Sequence, residues 1–136
     1  MEHSPENKEN GLARQKLSEL REMESTRLAV PVLEGVNIIR IADIIRLEAS
    51  NNYTYVYLTN EQRHVISKSL SKVASYLQFD AFVRIHKSHL INLFHLEAYA
   101  KGGFPRAVMC DKDGIPISRR KLPEFLEAIS QQFILL

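Results

Sequence analysis

The chain has 136 residues, 45% hydrophobic and 25% charged, which suits one globular domain and is too short for two. A domain of this size buries a core without disulfides or metal, and the single Cys110 cannot form an internal disulfide. The apolar runs are too short for a membrane-spanning helix, while the net charge of +2 excludes little until its distribution is read.

Residues 1–11 are polar, end in Asn10-Gly11 and read as a disordered tail. They lack the apolar h-region of a signal peptide, which together with the lone cysteine fits a reducing cytoplasm. Leu17, Leu20 and Met23 then form a narrow apolar stripe, which predicts a helix over 12–27. Residues 12–28 are thus expected to be a helical linker or dimerisation segment, with a β-rich domain over 29–132.

Within that domain, Val30-Pro31-Val32-Leu33 leads to Gly35, and Val36–Arg40 reads as a strand. Ala42–Ile45 suits a single helical turn before Arg46-Leu47-Glu48-Ala49, and Asn51-Asn52 is a turn signal because Asn tolerates left-handed backbone angles. Tyr53–Leu58 is nearly all β-favouring and places three tyrosines on one face. Thr59–Gln62 reverses the chain into Arg63–Ser67, completing a hairpin. Leu70, Val73, Ala74 and Leu77 follow helical spacing behind the N-cap candidate Ser69, predicting a short helix over 70–77. Strands are expected at Phe82–His86, His89–Leu93, Leu96–Lys101 and Arg106–Cys110. The turn Asp111–Gly114 leads to Ile115-Pro116-Ile117, which Pro116 confines to an edge. Leu122, Phe125, Leu126 and Ile129 define a last helix, started near Pro123. The fold class is therefore mainly β, with many short strands, few helices and one helix in front.

Charge is unevenly placed along this order. Residues 1–61 carry 7 basic and 10 acidic side chains, whereas residues 62–121 carry 11 against 4. A basic middle in a near-neutral protein is what a nucleic-acid-facing surface needs, although a solvated face can look the same.

Motifs for catalysis are missing. There is no Gly-x-Ser-x-Gly, P-loop or Gly-x-Gly-x-x-Gly; Gly102-Gly103 fits a hairpin, and Cys110 alternates with strand neighbours like a packed core cysteine. No enzyme, cofactor or small-molecule substrate is expected. His86 and His89 suggest a metal, with His95 nearby, but on one extended strand they would face opposite ways and lack further ligands.

Two basic clusters remain. Arg84-Ile85-His86-Lys87-Ser88 leads a strand into a polar corner, offering a guanidinium fork, a point charge and a hydroxyl together. Ser118-Arg119-Arg120-Lys121 puts three cations at a helix approach, the unfavourable end of the helix dipole. A phosphate there would turn that cost into attraction, and arginine is the best bidentate reader of guanine.

With these residues laid out, the chain resembles the LytTR family of bacterial DNA-binding domains from about Val32 to Ile129. Three stretches carry the likeness in order: Ile44–Thr54, Phe82–Asn92 and Ile117–Lys121, of which Phe82–Asn92 is the most specific. The resemblance implies about ten short strands with few helices, docking loops rather than a recognition helix into successive major grooves of double-stranded DNA. It implies three loops at the duplex, marked by Asn51 and Asn52, by His86, Lys87 and Ser88, and by Arg119, Arg120 and Lys121. Arg120 is expected at a base edge, Asn52 and Lys87 at a base or nearby phosphate, and Arg84 and Ser88 at the backbone. Asn92 follows inside a strand, where a role in the fold competes with DNA contact. Family members are commonly response-regulator outputs in two-component systems. About 30 residues precede the match, too few for a receiver, so a stand-alone regulator or an excised effector is expected. It would act on a repeated site, as two copies. The competing readings are a protein-interaction module or a single-strand binder using Tyr53, Tyr55 and Tyr57.

Overall fold

Five antiparallel strands form the central sheet in the order β5-β4-β3-β7-β6. Here β3 is Ile44–Ser50, β4 Tyr53–Leu58, β5 Arg63–Ile66, β6 Phe82–His86 and β7 His89–Asn92. A second sheet of three strands, ordered β10-β9-β8, consists of β8 (Leu96–Ala100), β9 (Arg106–Met109) and β10 (Gly114–Pro116). A separate hairpin pairs β1 (Arg27–Val32) with β2 (Gly35–Arg40). Helix α1 (Pro5–Ser25) precedes them, α2 (Leu70–Ala74) lies between β5 and β6, and α3 (Leu122–Gln132) closes the chain. The structure, a computed structural model, describes residues 5–136, with side chains from residue 11 onward.

The alternation of side chains along the strands divides the core in two. Leu47, Val56, Ile66 and Leu90 lie in one cluster with Leu70 and Val73 of α2, Val30 and Ile39 of the hairpin, and Met23 of α1. Ile85 and Ile91 lie in the other, with Ala107, Met109 and Ile115 of the small sheet and Phe125 of α3. Phe125 is fully buried and meets Tyr99 edge-to-face at 5.6 Å; burying such a ring contributes about 2–3 kcal/mol.

Most elements fall where hydrophobic pattern and turn residues placed them, and four differences have physical causes. The helix begins at Pro5, inside the stretch read as a tail, because Pro is well tolerated in a first turn; residues 1–4 lie outside the described residues. Its docking is firm at the C-terminal end, where Met23 is 0% exposed. Glu19 Oε1 accepts the Ala81 N–H at 3.3 Å, and burial raises the pKa of that carboxyl. Helix α2 stops at Ala74, but the following turns still deliver Leu77 to the core. Pro31 sits within β1, which a two-stranded ribbon permits because half its backbone groups face no partner. Cys110 lies one residue past β9, half-buried, with its N–H on His95 O at 2.9 Å; burial raises its thiol pKa, the opposite of an activated nucleophile.

Candidate nucleic-acid interface

Strand order brings the candidate loops to one end of the central sheet. The β3–β4 turn holds Asn51 and Asn52 between the paired Ser50 and Tyr53. Asn51 has φ 56°, a left-handed angle that asparagine adopts more readily than most side chains. The β6–β7 turn holds Lys87 and Ser88 between the paired His86 and His89. Because β3 pairs with β7, these turns are neighbours, and the Ala49 N–H donates to Ser88 O at 2.9 Å. The third loop joins from the other side, where the Ser118 N–H donates to Ile85 O at 2.8 Å. Two main-chain hydrogen bonds thus set three loops side by side. Asn51, Asn52, Lys87, Arg119 and Arg120 are exposed.

Arg84 stands behind its loop, not at its tip. Its Nε donates to His86 O at 2.9 Å and its Nη2 donates to Lys87 O, so the guanidinium braces the turn from within. Burial lowers the pKa of the group, which nonetheless stays cationic. His86 braces the same turn, its Nδ1 accepting the Ser88 N–H at 3.0 Å. That bond puts the neutral ring's proton on Nε2. The reading of His86 and His89 as pointing to opposite faces is corrected here. They end two strands joined by a tight turn, and their rings lie 5.2 Å apart. His89 Nδ1 is 3.7 Å from Glu48 Oε1, and burial lowers its pKa against the pull of that carboxylate. Among the described residues no group of three or more His, Cys, Asp or Glu gathers at metal-binding distance.

At the third loop Ser118 closes the turn before α3. Its Oγ accepts the Lys121 N–H at 3.2 Å, and its carbonyl accepts those of Lys121 and Leu122 at 3.0 Å. These two N–H groups are therefore already engaged, so a phosphate at this helix approach would be met mainly by the side-chain cations. Lys121 is also engaged, with its Nζ 3.4 Å from Glu124 Oε2. Arg119 and Arg120 have no ion pair among the described residues, which leaves them as the available cations. Asn92 serves the fold: it is fully buried, donates to Ile44 O at 2.9 Å and accepts the Phe94 N–H at 3.0 Å.

Sequence reasoning missed Lys68. Thr54 pairs with Ile66 and its hydroxyl donates to Lys68 O at 2.8 Å, so this exposed lysine follows β5 beside the first loop. Only the strand register could have found it. The tyrosine face is real but occupied by cations. The Arg46 guanidinium lies 3.7 Å from the Tyr57 ring centre and that of Arg63 lies 4.3 Å from Tyr55, while Tyr53 is 49% exposed.

The model of the LytTr DNA-binding domain matches residues 34–130, more than half of the chain and all three loops. The chain belongs to the LytTr DNA-binding domain family. A solved LytTr DNA-binding domain, from a protein of Bacillus cereus described as a methyl-accepting/DNA response regulator, superposes with a TM-score of 0.67. The superposition covers 77% of this chain and 97% of that one at 21% identity, and shows the shared fold. The heme-containing CO-sensing transcriptional regulator RcoM 2 of Paraburkholderia xenovorans strain LB400 is 26% identical over 97 residues. That match takes in 69% of this chain but 36% of RcoM 2, so the LytTr chain spans about a third of this relative. Among the described residues this chain is mainly β, with ten strands and three α-helices, one of them N-terminal, and none of these helices is long and apolar enough to cross a membrane.

Proposed function

We propose that this LytTr domain is a sequence-specific reader of double-stranded DNA, acting as a transcriptional regulator in the bacterial cytoplasm without catalysis or cofactor. The observation that carries the reading is the alignment of three exposed polar loops by Ala49–Ser88 and Ser118–Ile85 main-chain bonds. Such an array suits a duplex because loops on a rigid scaffold meet successive stretches of one groove at fixed spacing. Arg120 takes a base edge, with Arg119 beside it and Lys121 flanking. Asn52 and Lys87 take a base or the adjoining phosphate, while Asn51 shapes the first turn and Ser88 meets the backbone. Arg84 and His86 act through the turn they brace, not by touching DNA. Two copies of the chain occupy a repeated site.

Selection from a randomised duplex pool, followed by sequencing of the bound fraction, tests this. Enrichment of a motif repeated at about one helical turn is the expected result. Salt-sensitive binding with no enrichment would overturn sequence reading, and preference for single strands would overturn the duplex.

A further inference from the structure

The row of loops continues past Ser118. Ile117 donates its N–H to Pro105 O at 3.0 Å, making the β8–β9 loop, residues 101–105, the next main-chain neighbour of the third loop. Its construction parallels the second loop. Arg106 Nη1 donates to Gly102 O at 2.5 Å and to Phe104 O at 3.2 Å, as Arg84 does to the carbonyls of its own turn. Gly103 has φ +80°, an angle strained for any side chain, so the bend depends on glycine.

What this braced loop presents is a cation beside an apolar ring. Lys101 is exposed and has no ion pair among the described residues. Phe104 is 54% exposed, lies outside both core clusters, and has the Arg106 guanidinium 5.5 Å from its ring centre. Together an ammonium and a flat ring on one braced loop match a phosphate next to a deoxyribose.

We infer that the Lys101–Phe104 loop is a fourth DNA contact, which binds the sugar–phosphate backbone flanking the segment read by the other three. Lys101 meets a phosphate and Phe104 packs on the adjoining sugar, independent of sequence. The inference rests on the duplex-reading function proposed above.

The test uses the full chain and a duplex carrying its selected site, with the flanking base pairs removed from each side in turn. Affinity is measured by fluorescence anisotropy over a range of salt. Truncation on one side should weaken the parent protein several-fold and reduce its salt slope by about 0.9, the value of one phosphate contact. Lys101→Gln should reproduce that loss on the long duplex and be indifferent to truncation on that side. Phe104→Ala should weaken the long duplex as well; if it also lowers the melting temperature, Lys101→Gln carries the test alone. Equal losses on truncation for parent and Lys101→Gln would overturn the fourth contact while leaving the three-loop reading intact. Failure of the parent to bind any duplex would overturn both.

Discussion

Lys87, Arg119 and Arg120 at the loop end are exposed and have no acidic partner among the described residues. The tyrosine face over β3, β4 and β5 of the same sheet is also rich in cations, yet there the guanidinium groups of Arg46 and Arg63 are engaged. Arg46 is 5% exposed, lies 3.2 Å from both Glu48 and Asp113, and covers Tyr57, while Arg63 covers Tyr55. Arg46 therefore ties the central sheet to the β9–β10 turn of the small one. The contrast separates charge that holds the protein together from charge left over for a partner, a distinction that counts of Lys and Arg cannot make.

The comparison breaks most visibly at Arg46. Arg46→Met should cost about 2–3 kcal/mol in urea unfolding, at or below the lower end of the range for a buried ion pair because both carboxylates remain partly solvated. DNA affinity measured well below the unfolding transition should stay at the parent's value; a large binding loss in the folded variant would erase the distinction. The reverse pattern is expected at the loop end. Arg120→Ala should weaken binding of the selected site by about 1–3 kcal/mol with no more than a small change in melting temperature. Parental binding by that variant would remove Arg120 from the interface, and Arg119→Ala would then show whether its neighbour takes the base.

Tyr55→Leu sharpens the comparison from the other face. Loss of its cation–π contact with Arg63 should cost about 0.5–1 kcal/mol of stability. Duplex affinity should not change, whereas a stacking platform for single strands would be crippled. The smallest effect concerns pH. Burial holds His89 below its unfolded pKa, so the folded state binds that proton less well than the unfolded chain. The corresponding stability is present above about pH 6.5 and fades as pH falls through the folded value. Replacing His89 with Gln should flatten unfolding free energy measured between pH 7 and 5; an unchanged slope would assign the acid sensitivity elsewhere.

Much of the fold was legible because its signals are local. Asn51-Asn52, the alternation through Tyr53–Leu58, the spacing of Leu70 and Val73, and Pro116 at the edge strand β10 each announce an element within a few residues. The order of the three loops along the chain was legible too. What each side chain does there depends on where carbonyls lie after the turn has formed, and this is why the bracing of His86 and Lys87 by Arg84 could not be read from the sequence. Lys68 escaped because only the pairing of Thr54 with Ile66 brings it to the loop end. Pro5 hid the start of α1, since a proline ahead of a polar stretch reads equally well as a tail.

The bonds that align the loops, Ala49 N–H to Ser88 O and Ser118 N–H to Ile85 O, use no side-chain atom. Spacing between the loops is therefore indifferent to which side chains they carry. Under the function proposed above, a lineage, or an engineer, could exchange Asn52, Lys87 or Arg120 for other side chains and retarget the domain without resetting the ruler against which DNA is measured.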